Sequence, residues 1–272
     1  MLLAVDRRLK ILETVAEEQT IQVVELAARF RVSEMTIRRD IKRLERDGFL
    51  RRTYGGATAH LTRSLELGFN SRALSSAREK RLIGMAAAHL VADASSIFIG
   101  IGTTCEQFGR YIRDRSDLTV VTSSLPIASQ LGTRSIHTVV LGGTVRRDEL
   151  SCIGPAARET LIRYRFDVAV ISAAGVSAET GVTDIVDEEA DIHRKAIELA
   201  RRVIVLADGS KLGLVALATV ASASEISTLV TDECADQSQL QALRELGVEV
   251  VIATAPLASG SLAPIVEQKE PT

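Results

Sequence analysis

The chain has 272 residues, 46% of them hydrophobic and only 3% aromatic, with a formal net charge of −2 at pH 7. That length allows one large domain or two smaller ones, each with its own core, and the charge balance excludes a uniformly basic protein. The three cysteines are far apart and odd in number, which argues against a disulfide framework and favours a reduced, cytoplasmic protein. No stretch reaches ~18 uncharged apolar residues and the N-terminus lacks a signal-peptide core, so we expect no membrane segment.

Positive charge is concentrated near the N-terminus. Residues 1–56 contain 12 Lys and Arg against 9 Asp and Glu, whereas the remainder contains 21 against 26. Within residues 28–56 the numbers are 9 and 4. Such clustering is typical of proteins that bind polyanions, although a solvated helix face has the same composition.

Apolar residues at helical spacing predict three helices in this segment. The first covers residues 6–17 and the second covers VVELAARF, residues 23–30. The third begins after Ser33, a good N-cap residue, and ends at Gly48. Its inward stripe consists of Ile37, Ile41 and Leu44. Two short helices joined by a tight turn are typical of a helix-turn-helix, whose second helix enters the major groove of DNA.

The next segment, FLRRTYGGATAH, has the alternation and the Gly-Gly turn signal of a β-hairpin. A helix-turn-helix followed by a basic hairpin predicts a winged helix, in which the wing follows the phosphate backbone. Arg and Thr side chains read bases and phosphates of duplex DNA. The residues predicted to bind DNA are Ser33, Met35, Thr36, Arg38, Arg39, Lys42, Arg51, Arg52, Tyr54 and Gly55.

The remainder of the chain has the pattern of an α/β domain. Residues 58–74 lack periodicity and are predicted to be a linker, while residues 256–272 are predicted to be a frayed tail. Between them, in residues 75–255, helical patterns alternate with apolar runs such as SSIFIGI, LTVVTS and RVIVLAD. Continuous apolar runs indicate strands buried on both faces. We therefore predict a winged helix-turn-helix domain, residues 1–57, followed by a larger α/β domain with a mainly parallel sheet.

Polar loops rich in glycine or hydroxyls follow four of the predicted strands. Ligands of open α/β sheets collect at the carboxyl ends of the strands, and backbone N–H groups there suit an anion such as phosphate. Any one of these loops is more commonly plain turn chemistry, but four together favour a shared site. The pattern is neither GxGxxG nor a P-loop. The candidate residues are Gly102, Thr103, Thr104, Thr122, Ser123, Ser124, Gly142, Gly143, Asp208 and Lys211.

VSEMTIRRDIKRLERDGFLRRTYGGA, residues 32–57, resembles the signature of the DeoR family of bacterial transcriptional regulators. The chain from about Arg72 to Asp232 is similar to the effector domain of that family, which itself resembles ribose-5-phosphate isomerase. The resemblance implies that the loops cradle a phosphorylated sugar and that the helix after Glu189 presents a basic group to it.

Three positions depart from the family pattern in the effector domain, one of them Ser123, which follows Thr122 where the family commonly has Asn. His193 stands where the family commonly has Lys, with Lys195 two residues on, and Gly100 occupies a commonly acidic position. A histidine would be partly charged near neutral pH, which predicts an effector affinity that depends on pH. We include His193 and Lys195 among the candidate effector contacts.

The predicted function is that of a sequence-specific repressor. Its partners would be double-stranded operator DNA, a phosphorylated sugar that releases the DNA, and further copies of the chain in a homodimer or homotetramer. The four histidines lack ligand spacing, so we predict no metal site. We also predict no cofactor and no catalytic residue. An isomerase-like enzyme with an appended DNA-binding module remains the alternative, because several carboxylates lie near the loop ends. RNA or single-strand binding is disfavoured by the scarcity of aromatic residues.

Overall fold

The computed structural model describes residues 7, 8, 10, 11, 14, 15, 20–46, 50–53, 55–58, 73 and 75–255. The chain divides into two compact units, Met1–Ser75 and Ser76–Thr272. Most of the predicted linker and the whole predicted tail lie outside the described residues. Within the described part, no helix is both long and apolar enough to cross a membrane.

The first unit is a winged helix. Described residues between positions 7 and 15 are helical, and helices α1 (Val23–Phe30) and α2 (Glu34–Arg46) follow. Strands β1 (Thr20–Gln22), β2 (Arg51–Arg52) and β3 (Gly56–Thr58) form an antiparallel sheet in the order β1-β3-β2. The predicted stripe on α2 faces the core of this unit, with Ile37, Ile41 and Leu44 no more than 4% exposed. The winged helix predicted from the sequence is thus confirmed.

The turn between α1 and α2 is fixed by local hydrogen bonds. Arg31 ends α1 in the left-handed region, with φ of 53°, and its N–H bonds back to the last turn of α1. Ser33 caps α2, because its Oγ accepts a hydrogen bond from the backbone N–H of Thr36 at 3.2 Å. Glu34 follows in the first turn, where a carboxylate suits the helix dipole.

A buried ion pair joins the first helical segment to α2. The Nε atom of Arg7 lies 2.6 Å from an oxygen of Asp40, and both side chains are less than 10% exposed. A buried charge without a partner is costly, so this ion pair fixes how α2 packs against the first helical segment.

The second unit is built on a parallel seven-stranded sheet in the order β15-β14-β12-β9-β4-β5-β6. Its strands are β4 (Ser96–Ile99), β5 (Thr119–Thr122), β6 (His137–Val140), β9 (Phe166–Ser172), β12 (Ala200–Leu206), β14 (Thr228–Thr231) and β15 (Glu249–Ile252). Its helices are α3 (Ala77–Leu90), α4 (Thr103–Tyr111), α5 (Leu125–Leu131), α6 (Pro155–Leu161), α7 (Asp187–Glu198) and α8 (Gln237–Glu245). All pairings in this sheet are parallel, which confirms the predicted α/β class.

Both faces of the sheet are covered by apolar cores. In β4, the side chain of Phe98 belongs to one core cluster, whereas Ile97 and Ile99 belong to the other. All three are fully buried. This double burial explains why the central strands read as continuous apolar runs.

Short antiparallel strands that the sequence analysis did not predict complete the unit. Strands β7 (Thr144–Arg146) and β8 (Ser151–Ile153) form a hairpin. Strands β10 (Gly175–Ser177), β11 (Gly181–Asp184) and β13 (Ala218–Ala221) form a three-stranded sheet. Strand β14 was also missed, because only a single 3-10 turn precedes it.

Candidate DNA-binding surface and effector site

Helix α2 carries an exposed cationic stripe. Met35, Arg38, Arg39 and Lys42 are all exposed, and their spacing of three, four and seven residues places them on one face. Met35 is 74% exposed although its side chain is apolar. The apolar stripe of α2 is buried on the opposite side. The structure therefore brings four of the predicted DNA-binding residues together on the outward face of the predicted recognition helix.

The other predicted DNA-binding residues lie at the ends of this helix or on the wing. Ser33 and Thr36 share a hydroxyl–hydroxyl hydrogen bond of 3.0 Å, and Arg38 pairs with Glu34 at 3.2 Å. Arg52 pairs with Glu45 of α2 at 3.2 Å and so ties the wing to the helix. Gly55 is half-buried in the turn of the wing, where its carbonyl accepts a bond from Val23. Tyr54 and the side chain of Arg51 lie outside the described residues.

The turn between β4 and α4 forms the first candidate effector loop. Gly102 has φ of 104°, and a Cβ there would lie 2.3 Å from Oγ of Ser172, so glycine is required on both counts. Ser172, at the end of β9, donates a hydrogen bond to the carbonyl of Ile101 at 2.7 Å. Thr103 and Thr104 begin α4 and are each 5% exposed. Helix α4 thus starts from a turn supported by two neighbouring strands.

The hydroxyl side chains at the end of β5 and in the loop after it form hydrogen bonds with nearby backbone. Oγ1 of Thr122 accepts from the N–H of Ser124 at 3.0 Å, and Oγ of Ser124 caps α5 by accepting from Ile127 at 3.3 Å. The carbonyl of Ser123 accepts from the N–H of Cys152 in β8 at 2.7 Å. All three predicted residues are at most 2% exposed. The loop therefore positions the β7–β8 hairpin in addition to bordering the sheet edge.

A buried carboxylate on α7 connects that hairpin to the helix. Glu189 is 4% exposed and accepts hydrogen bonds from Oγ of Ser151 at 2.7 Å and from Arg146 at 2.9 Å. We call Arg146, Ser151 and Glu189 the Glu189 cluster. Burial lowers the pKa of Arg146, but attraction by Glu189 and neighbouring carboxylates outweighs it, so the net shift is upward. The guanidinium is therefore a permanent, partly exposed cation at the carboxyl edge of the sheet.

His193 lies one turn beyond Glu189 and faces the β4–α4 turn. Its ring is 1% exposed; Nε2 accepts a long hydrogen bond of 3.4 Å from the N–H of Ile101, and Nδ1 lies 3.6 Å from a carboxylate oxygen of Asp184. Burial lowers the pKa of His193 to about 4, against a smaller opposing effect of Glu189. The expectation that His193 is partly charged near neutral pH is therefore wrong, because a fully buried imidazole is held neutral.

The side chain of Lys195 does not lie beside that of His193 on α7. Its ammonium pairs with Glu198 in the last turn of α7. Two residues correspond to about 200° around a helix, so the two side chains point in nearly opposite directions. The cation of the Glu189 cluster is Arg146, which was not among the effector contacts predicted from the sequence.

The loop after β12 forms a separate polar group. Asp208 is 3% exposed, lies 3.9 Å from the buried ammonium of Lys80, and accepts hydrogen bonds from Ser210. Asp232, at the end of β14, accepts from the N–H of Gly209 at 2.8 Å. Lys211 is half-buried at the end of this loop. Sheet order leaves one strand, β9, between this loop and the β4–α4 turn.

The glycine pair after β6 has a structural explanation. Gly143 has φ of 118°, and a Cβ there would lie 2.5 Å from the carbonyl oxygen of Ile153. Gly142 has open space around it, and both glycines are exposed beyond an edge strand. The pair lets the chain turn into the β7–β8 hairpin. Among the described residues, no group of three His, Cys, Asp or Glu side chains could hold a metal ion.

Two domain families match the chain in sequence. The DeoR-like helix-turn-helix domain matches residues 7–62, and the DeoR C terminal sensor domain matches residues 75–233. The HTH-type transcriptional repressor GlcR of Bacillus subtilis is 31% identical over 248 residues, covering 91% of this chain and 95% of GlcR. The HTH-type transcriptional repressor CsqR of Escherichia coli K12 is 29% identical, covering 89% and 93%.

Similarity to solved structures is weaker. Ribose 5-phosphate isomerase A from Methanocaldococcus jannaschii is 23% identical, with 51% of this chain and 55% of that chain covered and a TM-score of 0.37. The sorbitol operon regulator SorC from Klebsiella pneumoniae is 13% identical, with 89% and 100% covered and a TM-score of 0.35. The two domain matches and the full-length relatives establish that the chain belongs to the DeoR family of transcriptional regulators.

Proposed function

We propose that this protein represses a carbohydrate operon by binding double-stranded operator DNA, and that a phosphorylated sugar bound in the sensor domain releases it. The observation that carries the proposal is the cationic stripe on α2, which lies opposite the buried stripe of the same helix. The relatives GlcR and CsqR are repressors, and the sensor domain of the family accompanies the helix-turn-helix here.

On the DNA side, α2 would enter the major groove with Arg38, Arg39 and Lys42 toward the bases and phosphates. Ser33 and Thr36 lie at the N-terminus of α2, where backbone N–H groups favour a phosphate. The wing would contribute Arg51, Arg52, Tyr54 and Gly55 along the backbone. A single winged helix makes few base contacts, so we propose that a homodimer or homotetramer reads repeated half-sites.

A gel-shift experiment tests the assignment of α2. Duplexes would first be selected from a random pool by the wild-type protein. Arg38→Ala and Arg39→Ala should each weaken binding by about 1–3 kcal/mol if they contact bases, which is roughly 5-fold to 150-fold. Arg201→Ala is the matched control, because Arg201 is 84% exposed on the sensor unit. Unchanged affinity for both α2 variants would refute the assignment.

On the effector side, the β4–α4 turn is the best candidate for the phosphate. It offers the N-terminus of α4 with Gly102, Thr103 and Thr104, and Arg146 of the Glu189 cluster supplies a permanent cation. The loop at Asp208 and Lys211 would contact the other end of the ligand. We assign the cationic role to Arg146 instead of Lys195, because Lys195 points away from His193 around α7 and pairs with Glu198 in the last turn of the helix.

A thermal-shift panel tests the effector proposal, with ribose 5-phosphate, fructose 1-phosphate and glucose 6-phosphate as probes and the unphosphorylated sugars as controls. A specific ligand at 100 times its Kd adds ~2.7 kcal/mol of stability. Arg146→Gln should abolish the shift, whereas Arg201→Gln should leave it intact. A sugar phosphate that binds without weakening the DNA complex would contradict the release model.

The buried histidine gives little support to the alternative that the domain is an isomerase-like enzyme. Nε2 of His193 faces the backbone N–H of Ile101 and Nδ1 faces Asp184, so the ring does not present a general base to a ligand. Incubating the protein with the same sugar phosphates and following product formation by NMR tests this directly. Any robust turnover would overturn the proposal that the domain only senses its ligand.

A further inference from the structure

Met35 on α2 is an apolar side chain that the winged helix does not bury. Among the described residues of this unit, Val24 and Met35 are the large apolar residues that stand exposed, at 61% and 74%. Met35 does not belong to the core of the unit, so folding does not explain its side chain. A single exposed apolar residue is common on protein surfaces, and what distinguishes Met35 is where it lies.

Met35 is the first residue of the exposed stripe on the predicted recognition helix. Ser33 caps α2, so Met35 lies in the first turn, with Arg38 and Arg39 one turn further along the same face. In a helix-turn-helix, the N-terminal residues of the recognition helix reach the edges of the bases. Met35 therefore occupies a position on α2 that is well placed to meet a base edge.

The polar side chains of the same turn are already engaged with one another or with the next turn. The hydroxyls of Ser33 and Thr36 share a hydrogen bond of 3.0 Å. The carboxylate of Glu34 pairs with Arg38 at 3.2 Å. The remaining side chain of this turn is that of Met35, whose thioether is only a weak hydrogen-bond acceptor. A base contact from this turn therefore falls to an apolar group.

The major groove offers an apolar side chain one specific target. Every base pair presents hydrogen-bond donors and acceptors there, and thymine adds its C5-methyl group. Packing methionine over a polar edge would remove that edge from water without giving it a hydrogen bond, which is unfavourable. Packing methionine against the methyl group instead removes apolar surface of both partners from water, which is favourable.

We propose that Met35 is a specificity-determining residue, which packs against the C5-methyl group of a thymine in each half-site of the operator. The inference rests on the proposed function, because it takes α2 to be the recognition helix in the major groove of duplex DNA. Arg38, Arg39 and Lys42 supply the polar and electrostatic contacts that hold α2 there. Met35 distinguishes a T·A pair from the other base pairs at one position.

Replacing thymine by deoxyuridine tests the contact, because it removes the methyl group alone and keeps the base pair. Each thymine of a duplex selected by the wild-type protein would be replaced in turn, with affinities measured by gel shift. At the thymine that Met35 contacts, wild-type binding should weaken by about fourfold, the loss expected for one buried methyl group. Met35→Ala should bind the thymine and deoxyuridine duplexes equally at that position. Met35→Leu keeps an apolar side chain of similar volume and should keep the preference.

Val24→Ala is the matched control, because it shortens an exposed apolar side chain on α1 instead of α2. It should keep the wild-type ratio of thymine to deoxyuridine affinities at every position. Both alanine variants change exposed helical positions and alanine is a good helix former, so circular dichroism should show folded proteins.

The proposal is overturned if no deoxyuridine replacement weakens wild-type binding, or if Met35→Ala is as sensitive as wild type at every position. Either result, together with weakened binding by Arg38→Ala and Arg39→Ala, would leave α2 as the recognition helix and remove only the role of Met35. A selection that yields no specific duplex would refute the proposed function itself.

Discussion

Gly100 lies directly after β4, where the imidazole of His193 occupies the space that a side chain would need. A Cβ at this position would lie 2.6 Å from Nε2 and 3.2 Å from Cδ2 of His193. The ring has little room to move, because it is 1% exposed and lies edge-on to Phe98 with 6.4 Å between ring centroids. We therefore expect Gly100→Ala to cost about 1–3 kcal/mol through overpacking. The lower entropy of the unfolded alanine chain would return about 0.4–1 kcal/mol of this.

Thermal unfolding of the full-length protein measures the effect. For a domain of this size, 1 kcal/mol corresponds to roughly 2–4 °C in Tm, so the sensor unit should melt several degrees lower. Gly142→Ala is the matched control, because a Cβ at Gly142 meets nothing within 4 Å and its φ is not positive. That variant should melt at the wild-type temperature or slightly above it.

A double-mutant cycle separates the clash with His193 from other effects of alanine. His193→Ala alone should destabilise the protein by leaving a cavity. In the double variant, the methyl group at position 100 extends into that cavity, so the combined cost should be smaller than the sum of the two single costs. Strict additivity, or equal melting temperatures for Gly100→Ala and Gly142→Ala, would refute the reasoning.

Three further predictions concern buried polar groups. Asp40→Ala removes the buried carboxylate that pairs with the Arg7 guanidinium, which should cost about 3–5 kcal/mol and unfold the DNA-binding unit first in urea; a single transition at the wild-type midpoint would contradict this. The depressed pKa of His193 means that the unfolded chain binds a proton below pH 6.5 that the folded protein does not bind until about pH 4. The free energy of unfolding should therefore fall, on the order of 1.4 kcal/mol per pH unit, as pH decreases through that window, and His193→Gln should lose this slope. Ser151→Ala removes one hydrogen-bond donor to the buried Glu189 carboxylate and should lower the free energy of unfolding in urea by about 1.5–3 kcal/mol. An unchanged free energy of unfolding would show that this hydrogen bond contributes nothing to stability.

The winged helix was predictable because its signals are local. Ser33 caps α2 and the buried stripe on α2 repeats every three to four residues, so a short window of sequence contains the whole pattern. Strand β1 has no such pattern. Its three residues become a strand only by pairing with β3, which lies more than 30 residues away along the chain. Strand β13 was missed for the same reason, since it pairs with β11 more than 30 residues earlier. Strands β7, β8, β10 and β11 pair locally, but they are only three or four residues long, too short for an alternating pattern to be recognised.

The polar surroundings of the candidate effector site were predicted only in outline. The sequence correctly marked the ends of β4, β5 and β12 as polar, because residues after buried strands are easy to recognise. The bonds of Thr122 and Ser124 to nearby backbone are local and were simply not predicted, whereas the sequence could not show that Glu189 would meet Ser151, 38 residues earlier. Long-range partners depend on how the helices and strands pack, which no local pattern reports. The charge state of His193 was mispredicted for the same reason, since desolvation is a property of the packed fold.

Helix α7 touches two separate loops through residues one turn apart. Glu189 bonds to the β7–β8 hairpin, while His193 contacts the β4–α4 turn. A ligand that moves the turn must therefore either break the contact with His193 or carry α7 with it. In the second case α7 moves as a rigid body, and the displacement of the helix reaches the hairpin directly, with no flexible loop between them. The β4–α4 turn and the β7–β8 hairpin are thus joined through a single rigid helix.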